Sequence, residues 1–212
     1  MVAARVDRRE RMAQQTRREI LSTARRLFAE RGYAATSIND IAEEAGVAIQ
    51  TIYARLGSKR GMLLALIDLI DEEAGVDQLA AGVRDAGTPH AAVRAEVKLT
   101  RAFQERCGDI IGALFTSAGA EPELADAVAE GQRRHREGAR LTINRIQELG
   151  GLRTDLPSDE AQALLALSTT HEAWRELIQG YGLQWNEAEE SLTDALSRSL
   201  LARQPKRSPR SQ

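Results

Sequence analysis

Side chains with the chemistry to bind nucleic acid are concentrated in one short stretch near the N-terminus. The amide of Gln50 can form two hydrogen bonds with an adenine edge, while the methyl groups of Ile49 and Thr51 can contact the methyl groups of thymine. Tyr53 and Arg55 can donate hydrogen bonds to phosphate oxygens. This combination is typical of a surface that contacts base edges and the phosphates beside them.

A basic residue, Lys59, follows at the start of the next predicted helix. Ser58 can cap that helix, which the sequence predicts to run to about residue 74. The unpaired backbone N–H groups of a helix N-terminus and the ammonium group of Lys59 both favour a phosphate. We therefore expect a phosphate contact at this helix start as well.

Such contacts require two short helices that cross over a tight turn. The sequence predicts these helices over 37–45 and 48–56, and either Thr36 or Ser37 can cap the first, with Ser37 and Asp40 in a capping-box pattern. Gly46 can adopt the positive φ that the turn requires. The positions predicted to face the interior of this motif are Ile38, Ile41, Ala42, Val47 and Ile52.

A helical hairpin with a glycine turn and no role in nucleic-acid binding is the competing interpretation. Such a hairpin does not require the small Ala42, then Gly46, then the apolar Val47, in that order. The distribution of charge also favours nucleic acid: the chain has a formal net charge of −2, but residues 1–60 carry +5 and residues 61–202 carry −11. A basic N-terminal third indicates where a polyanion would dock.

The sequence predicts an all-α protein of about nine helices. Only 4% of its residues are aromatic, and it contains no run of alternating β-branched residues that would indicate strands. The first helix is predicted over 14–31 and ends at Gly32. Its apolar stripe comprises Ile20, Leu21, Ala24, Leu27 and Phe28. After residue 74, helices are predicted over 89–107, 109–117, 121–149, 158–179 (capped by Ser158) and 186–202.

The N-terminal segment resembles the tetracycline-repressor (TetR) family of bacterial regulators. The resemblance rests on I-L-S-T-A-R-R-L-F-A-E-R-G-Y-A-A-T-S-I-N-D-I-A-E-E-A-G-V and T-I-Y-A-R-L-G-S-K-R-G-M-L, which lie within residues 20–63. It implies that Tyr53 and Lys59 contact phosphates and that Asn39 can reach the groove. The chain departs from the family pattern at Ala48, Ala54, Arg55 and Leu56. The full set predicted to bind DNA is Thr36, Ser37, Asn39, Ala48, Ile49, Gln50, Thr51, Tyr53, Arg55 and Lys59.

The second half resembles C-terminal regions of the same family more loosely. The resemblance implies a ligand cavity and a homodimer in which the last two long helices pair with those of a second chain. Candidate ligand-binding residues are Met62, Phe103, Leu114, Phe115, His135 and Trp174, and candidate dimer-interface residues are Leu164, Leu167, Leu192, Leu196 and Leu200. Both sets are also ordinary core patterns, so burial within one chain is the alternative for each.

Three segments follow from these patterns. We expect residues 1–57 to form a helix-turn-helix domain with a basic N-terminal arm and residues 58–203 to form a helical body for ligand binding and dimerisation. Residues 204–212 are predicted to be a disordered basic tail. No apolar run reaches the roughly 18 residues of a membrane span, no signal peptide is recognisable, and one cysteine fits a reducing compartment. We therefore expect a cytoplasmic protein with no membrane partner.

The sequence contains no pattern that indicates an enzyme, a metal site or a cofactor. His90, His135 and His171 are scattered, and Cys107 has no evident base partner. Nucleotide-binding and nucleophile-elbow motifs are not recognisable. The sequence thus predicts a transcriptional repressor that binds a palindromic operator and is released by a small molecule. The alternatives are a ligand-independent regulator and an architectural DNA-binding protein.

Overall fold

The computed structural model describes residues 2–119 and 122–202 of the chain. These residues form ten α-helices and one short π-helical segment, with no strand, which confirms the all-α prediction. Within them, no helix is both long and apolar enough to cross a membrane. The helices are α1 (Val2–Arg31), α2 (Ile38–Glu44), α3 (Ile49–Leu56), α4 (Lys59–Ala74), α5 (Val76–Arg84), α6 (Pro89–Ala118), α7 (Pro122–Glu148), α8 (Ser158–Ser168), α9 (His171–Arg175) and α10 (Trp185–Leu200), and the π-helical segment is Glu176–Gly180.

The chain divides into two compact units. Unit 1 consists of residues 1–74 and 106–130, and unit 2 consists of residues 75–105 and 131–212. Helices α6 and α7 therefore each contribute residues to both units. The functional division predicted at residue 57 stays a prediction, and the predicted tail over 204–212 lies outside the described residues.

The core of unit 1 is built on the apolar stripe of α1. All five residues predicted for that stripe are buried, as expected from their spacing on one helical face. The ring of Phe28 lies 5.0 Å from that of Tyr33, centroid to centroid, just after α1 ends. Gly32, at φ 84°, ends the helix as predicted.

Helix α6 is longer than the sequence indicated. The predicted break near Gly108 is wrong, because a single helix runs from Pro89 to Ala118. Cys107, Ile110 and Leu114 are buried at spacings of three and four residues, so one apolar face continues past the glycine. Burial of that face outweighs the cost of about 1 kcal/mol for glycine in a helix interior.

The predicted helix over 158–179 is divided into three parts. Helix α8 ends at Ser168, and the Thr170 hydroxyl then caps α9 by accepting a hydrogen bond from the backbone N–H of Ala173 at 3.2 Å. Threonine hydroxyls compete for backbone hydrogen bonds in this way and favour helix starts over interiors. The predicted capping role of Ser158 is wrong, since Pro157 occupies the N-cap and Ser158 is the first helical residue.

The core of unit 2 joins apolar residues from the second half of the chain with the first part of α6. Its largest fully buried side chain is that of Trp174, whose ring lies 5.8 Å from that of Trp185, centroid to centroid. The cluster of buried residues is Ala86, Ala92, Val93, Val97, Ala139, Ile143, Ile146, Ala161, Leu165, Trp174, Ala188, Leu196 and Leu200.

Candidate nucleic-acid interface

Helix α2 begins with the capping box that the sequence predicted. The Ser37 hydroxyl accepts a hydrogen bond from the Asp40 backbone N–H at 3.1 Å, and the Asp40 carboxylate accepts one from the Ser37 backbone N–H at 2.7 Å. The hydroxyl of Ser37 also donates to this carboxylate, and these bonds lower the pKa of Asp40. The start of α2 is therefore fixed by local hydrogen bonds.

The turn between α2 and α3 depends on a glycine. Gly46 adopts φ 64°, a conformation that side-chain-bearing residues rarely adopt. The next backbone N–H, that of Val47, donates to the Ala42 carbonyl at 3.0 Å and closes the turn. The predicted role of Gly46 is confirmed.

Helix α3 has an apolar inner face and a mixed outer face. Ile52 and Leu56 are buried against the rest of unit 1. Ala48, at the N-cap, makes no side-chain cap hydrogen bond because it lacks a hydroxyl. Thr51 is half-buried, and the exposed side chains of the outer face are those of Ile49, Gln50, Tyr53 and Arg55.

Thr36 lies inside unit 1, which corrects its predicted place on the DNA-binding surface. Its side chain is only 1% exposed. Its hydroxyl lies 2.9 Å from the Gly32 carbonyl oxygen and 3.2 Å from that of Leu27, so it is held by the end of α1. Ser37 and Asn39, in contrast, are exposed.

The junction between α3 and α4 brings Lys59 next to the end of α1. The Ser58 hydroxyl accepts a hydrogen bond from the Gly61 backbone N–H at 2.9 Å, which confirms the predicted cap. The Lys59 Nζ atom lies 4.2 Å from the centroid of the Tyr33 ring and 3.4 Å from the Ala34 carbonyl oxygen. These two contacts hold the ammonium group of Lys59 beside the end of α1.

Gly61 allows α4 to start immediately beside the end of α3. A Cβ atom at this position would lie 2.0 Å from the Leu56 carbonyl oxygen. No side chain fits there without a shift of the backbone, so this glycine sets how closely α4 follows α3. No local sequence pattern predicts this role, because it depends on the distance between two helices.

Two ion pairs of α1 were also missed by the sequence analysis. Arg26 pairs with Glu44 of α2 at 2.6 Å. Arg25 forms two hydrogen bonds with the Asp109 carboxylate, at 2.7 and 2.9 Å, and another with the Arg106 carbonyl oxygen. The partners of Arg25 lie more than 80 positions away in the sequence, so no local pattern predicts them. They fix α1 to the part of α6 that belongs to unit 1.

The six predicted ligand-binding residues are divided between the two units. Met62, Leu114 and Phe115 belong to unit 1, whereas Phe103, His135 and Trp174 belong to unit 2. Met62 and Trp174 are completely buried, and the Trp174 indole N–H donates to the Thr100 hydroxyl at 3.3 Å. A ligand site formed by these residues stays a prediction.

The five predicted dimer-interface residues differ sharply in exposure. Leu196 and Leu200 are buried in the core of unit 2, so the prediction that they face a second chain is wrong in this conformation. Leu192 is half-buried. Leu164 and Leu167, on α8, are exposed, with Leu167 at 69%.

The capped helix α2, the glycine turn and helix α3 define a helix-turn-helix domain within an all-helical protein. The sequence model for bacterial regulatory proteins of the tetR family matches residues 20–66, which include this domain. By this match, the N-terminal region of the chain, residues 20–66, is of the TetR family.

Known proteins resemble the N-terminal region of the chain in sequence and nearly the whole chain in fold. The transcriptional regulator TtgR of Pseudomonas putida is 42% identical over 67 residues, which is 32% of this chain and 32% of TtgR. The aligned segment thus spans about a third of the curated relatives that it matches. This sequence similarity supports the family assignment of the N-terminal region.

Two solved structures match nearly the whole fold. One is described as a transcriptional regulator from Saccharomonospora viridis in complex with choline, with a TM-score of 0.74, 24% identity, and 90% of this chain and 100% of that chain covered. The other is NalD, the secondary repressor of the MexAB-OprM multidrug efflux pump in Pseudomonas aeruginosa, with a TM-score of 0.68, 20% identity, and coverage of 90% and 98%. At these identities the likeness establishes the fold.

Proposed function

We propose that this protein is a sequence-specific DNA-binding regulator of transcription. The observation that carries the proposal is the outer face of α3, where Ile49, Gln50, Tyr53 and Arg55 are exposed while Ile52 is buried. An exposed amide and an exposed apolar side chain suit base edges in a major groove. The phenol and the guanidinium group suit the flanking phosphates.

The regulator acts as a homodimer on a palindromic operator. A dimer of this kind places its two recognition helices about 34–36 Å apart, one turn of DNA. Leu164 and Leu167 support a contact between copies, because both are exposed apolar residues three positions apart on α8 and so lie on one face. Aspartate at both positions should convert the dimer to a monomer, as measured by light scattering after size-exclusion chromatography. A dimer that persists in this variant would contradict the assignment of the interface.

We further propose that the regulator is a repressor released by a small molecule. The repressor NalD and the choline complex from S. viridis, both of the same fold, support this mechanism. The ligand acts by binding one conformation better than the other, and about 5.5 kcal/mol of differential affinity shifts a population from 1:99 to 99:1. The sequence predicts a cytoplasmic protein that needs no cofactor, and both predictions fit such a regulator.

The test of DNA binding is selection of bound duplexes from a random pool with the purified protein, at a fixed salt concentration because affinity depends on it. We expect an enriched palindrome. Tyr53→Ala should then weaken binding to all sequences alike, since Tyr53 contacts phosphate. Tyr181→Ala is the matched control, because Tyr181 is also an exposed tyrosine, but in unit 2. Binding without enrichment would favour an architectural role, and equal effects of the two variants would contradict the proposed surface.

A further inference from the structure

Unit 2 contains a buried carboxylate that the proposed DNA-binding function does not use. Glu96, on α6, is only 2% exposed and lies among the core residues Ala92, Val93 and Val97. Its Oε2 atom accepts a hydrogen bond from the Thr142 hydroxyl of α7 at 2.8 Å. No cation of the described residues pairs with it, and burial raises its pKa.

A buried carboxylate of this kind is costly to ionise. One hydrogen bond from a hydroxyl does not replace the water that a charged carboxylate loses, so the charged form requires a cation. Two basic side chains of unit 2 have partners other than Glu96: Arg101 pairs with Glu189 at 2.7 Å, and Arg145 donates to the Ala86 carbonyl oxygen. The raised pKa means that the acid is neutral when no cation is present, and its ionisation requires a cation that none of the described residues supplies.

The neighbours of Glu96 suit an organic cation. Gly138 of α7 faces it, and a Cβ atom there would lie 3.7 Å from Oε1, so no side chain of that residue covers this oxygen. One turn along α6, the Thr100 hydroxyl contacts the indole of the fully buried Trp174. The same hydroxyl lies 3.2 Å from the backbone carbonyl oxygen of Glu96, so Thr100 links the two residues. A carboxylate and an aromatic ring that line one site can bind an ammonium group together, by charge and by cation–π attraction.

His135 does not compete for the carboxylate. It lies one turn before Gly138 on α7, where it is half-buried and its Nε2 atom is 3.2 Å from the Thr169 hydroxyl. Burial, with the neighbouring charge of Arg136, lowers the pKa of His135 and favours the neutral ring.

We propose that the Glu96 carboxylate inside unit 2 binds the ammonium group of a small organic monocation, which is the effector of this regulator. This inference rests on the proposed release by a small molecule, because it names the class of that ligand. It does not depend on DNA binding, so it is tested with the protein alone.

The experiment is isothermal titration of the full chain with tetramethylammonium, choline, butylammonium and benzylammonium. Each is compared with an uncharged compound of the same shape, such as 3,3-dimethylbutan-1-ol for choline. We expect at least one cation to bind and its neutral counterpart to bind at least about tenfold more weakly, since the neutral compound lacks the charge that the carboxylate attracts. Absence of binding by all four cations, or equal binding of cation and neutral counterpart, would overturn the proposal.

Two variants locate the site. Glu96→Gln keeps an oxygen that can accept from Thr142 and should lose about 10- to 100-fold in cation affinity, with little change for the neutral compound. Glu148→Gln is the matched control, because this glutamate is on α7 but 63% exposed and paired with Arg145. An equal effect of the two substitutions would refute the role of Glu96.

Gly138→Ala provides a test that does not rely on removing the acid. The added methyl group would make ordinary contact with Oε1 and should leave the melting temperature equal or higher, because alanine favours a helix interior. It should weaken the larger cations more than tetramethylammonium. Unchanged affinities across the series of cations would contradict the placement of the bound cation beside Glu96. Cations that bind without releasing the selected operator would support the binding site beside Glu96 but would refute the role of the cation as the effector.

Discussion

Replacing Gly61 by alanine tests how closely α4 packs against α3. Alanine has the higher helix propensity, so a loss of stability on this substitution would come from the close approach of the two helices. The new Cβ would lie 2.0 Å from the Leu56 carbonyl oxygen, about 1 Å closer than Cβ atoms are found to other heavy atoms. The atom that it meets belongs to the backbone, so rotation of a side chain cannot relieve the overlap. The first turn of α4 must move away from α3 by a comparable distance.

The magnitude follows from two opposing terms. Overpacking typically costs about 1–3 kcal/mol, and the gain of alanine over glycine in a helix is about 1 kcal/mol. We expect a net loss of about 1–2 kcal/mol, which lowers the melting temperature of a chain of this size by about 2–8 °C. DNA affinity should also fall, because Lys59 lies in the turn that moves.

The assay is differential scanning calorimetry together with titration of the selected operator. Gly131→Ala is the control, since Gly131 lies within α7 and a Cβ there would have no neighbour within 4 Å. That substitution should stabilise the protein by about 0.5–1 kcal/mol. If Gly61→Ala were as stable as Gly131→Ala, the close approach of α3 and α4 would not constrain the sequence, and the reasoning would be refuted.

Three further predictions concern other parts of the molecule. Gln50→Ala should cost about 1–3 kcal/mol of DNA affinity and relax the preference at one operator position; selection that returns an unchanged motif would remove Gln50 from base recognition. Ile52→Ala should destabilise the protein by about 2–5 kcal/mol in urea denaturation, because Ile52 is fully buried, whereas Ile49→Ala should change stability by less than about 0.5 kcal/mol. The raised pKa of Glu96 means that the folded state keeps a proton that the unfolded state releases above about pH 4.5. Stability should therefore decrease as pH rises through the interval between the unfolded and folded pKa values, and a Glu96→Gln variant that shows the same decrease would contradict this.

Local patterns were sufficient to predict the helix-turn-helix. The Ser37–Asp40 capping box and the Gly46 turn involve residues within a few positions of one another, and both are present in the structure. The stripe of α1 likewise follows from helical spacing alone. Such features depend on short-range hydrogen bonds, backbone conformation and periodicity, all of which the sequence displays directly.

Two helix boundaries were predicted wrongly, because the sequence pattern did not show whether the helix continues or ends. Gly108 is a weak helix former, yet α6 passes through it because the residues on either side bury one apolar face. The predicted helix over 158–179 shows the converse, since hydroxyl side chains at Thr169 and Thr170 divide an apolar segment. In α6 the burial of an apolar face outweighs the weak helix propensity of a glycine, whereas after α8 local hydrogen bonds of threonine hydroxyls outweigh the apolar periodicity. The sequence pattern does not show which of two opposing effects is stronger.

The sequence by itself determined that the chain is helical, where the turn of the helix-turn-helix lies, and which face of each short helix is apolar. Only the tertiary structure decided what those faces contact. It placed Thr36 and Leu200 inside, left Leu167 exposed, buried the acid Glu96 without a cation from the described residues, and joined Arg25 to Asp109. The physical reason is that helical periodicity shows which side of a helix avoids water, but not which residues pack against that side. Those residues can lie 80 or more positions away in the sequence, and they are set by how the helices pack in three dimensions.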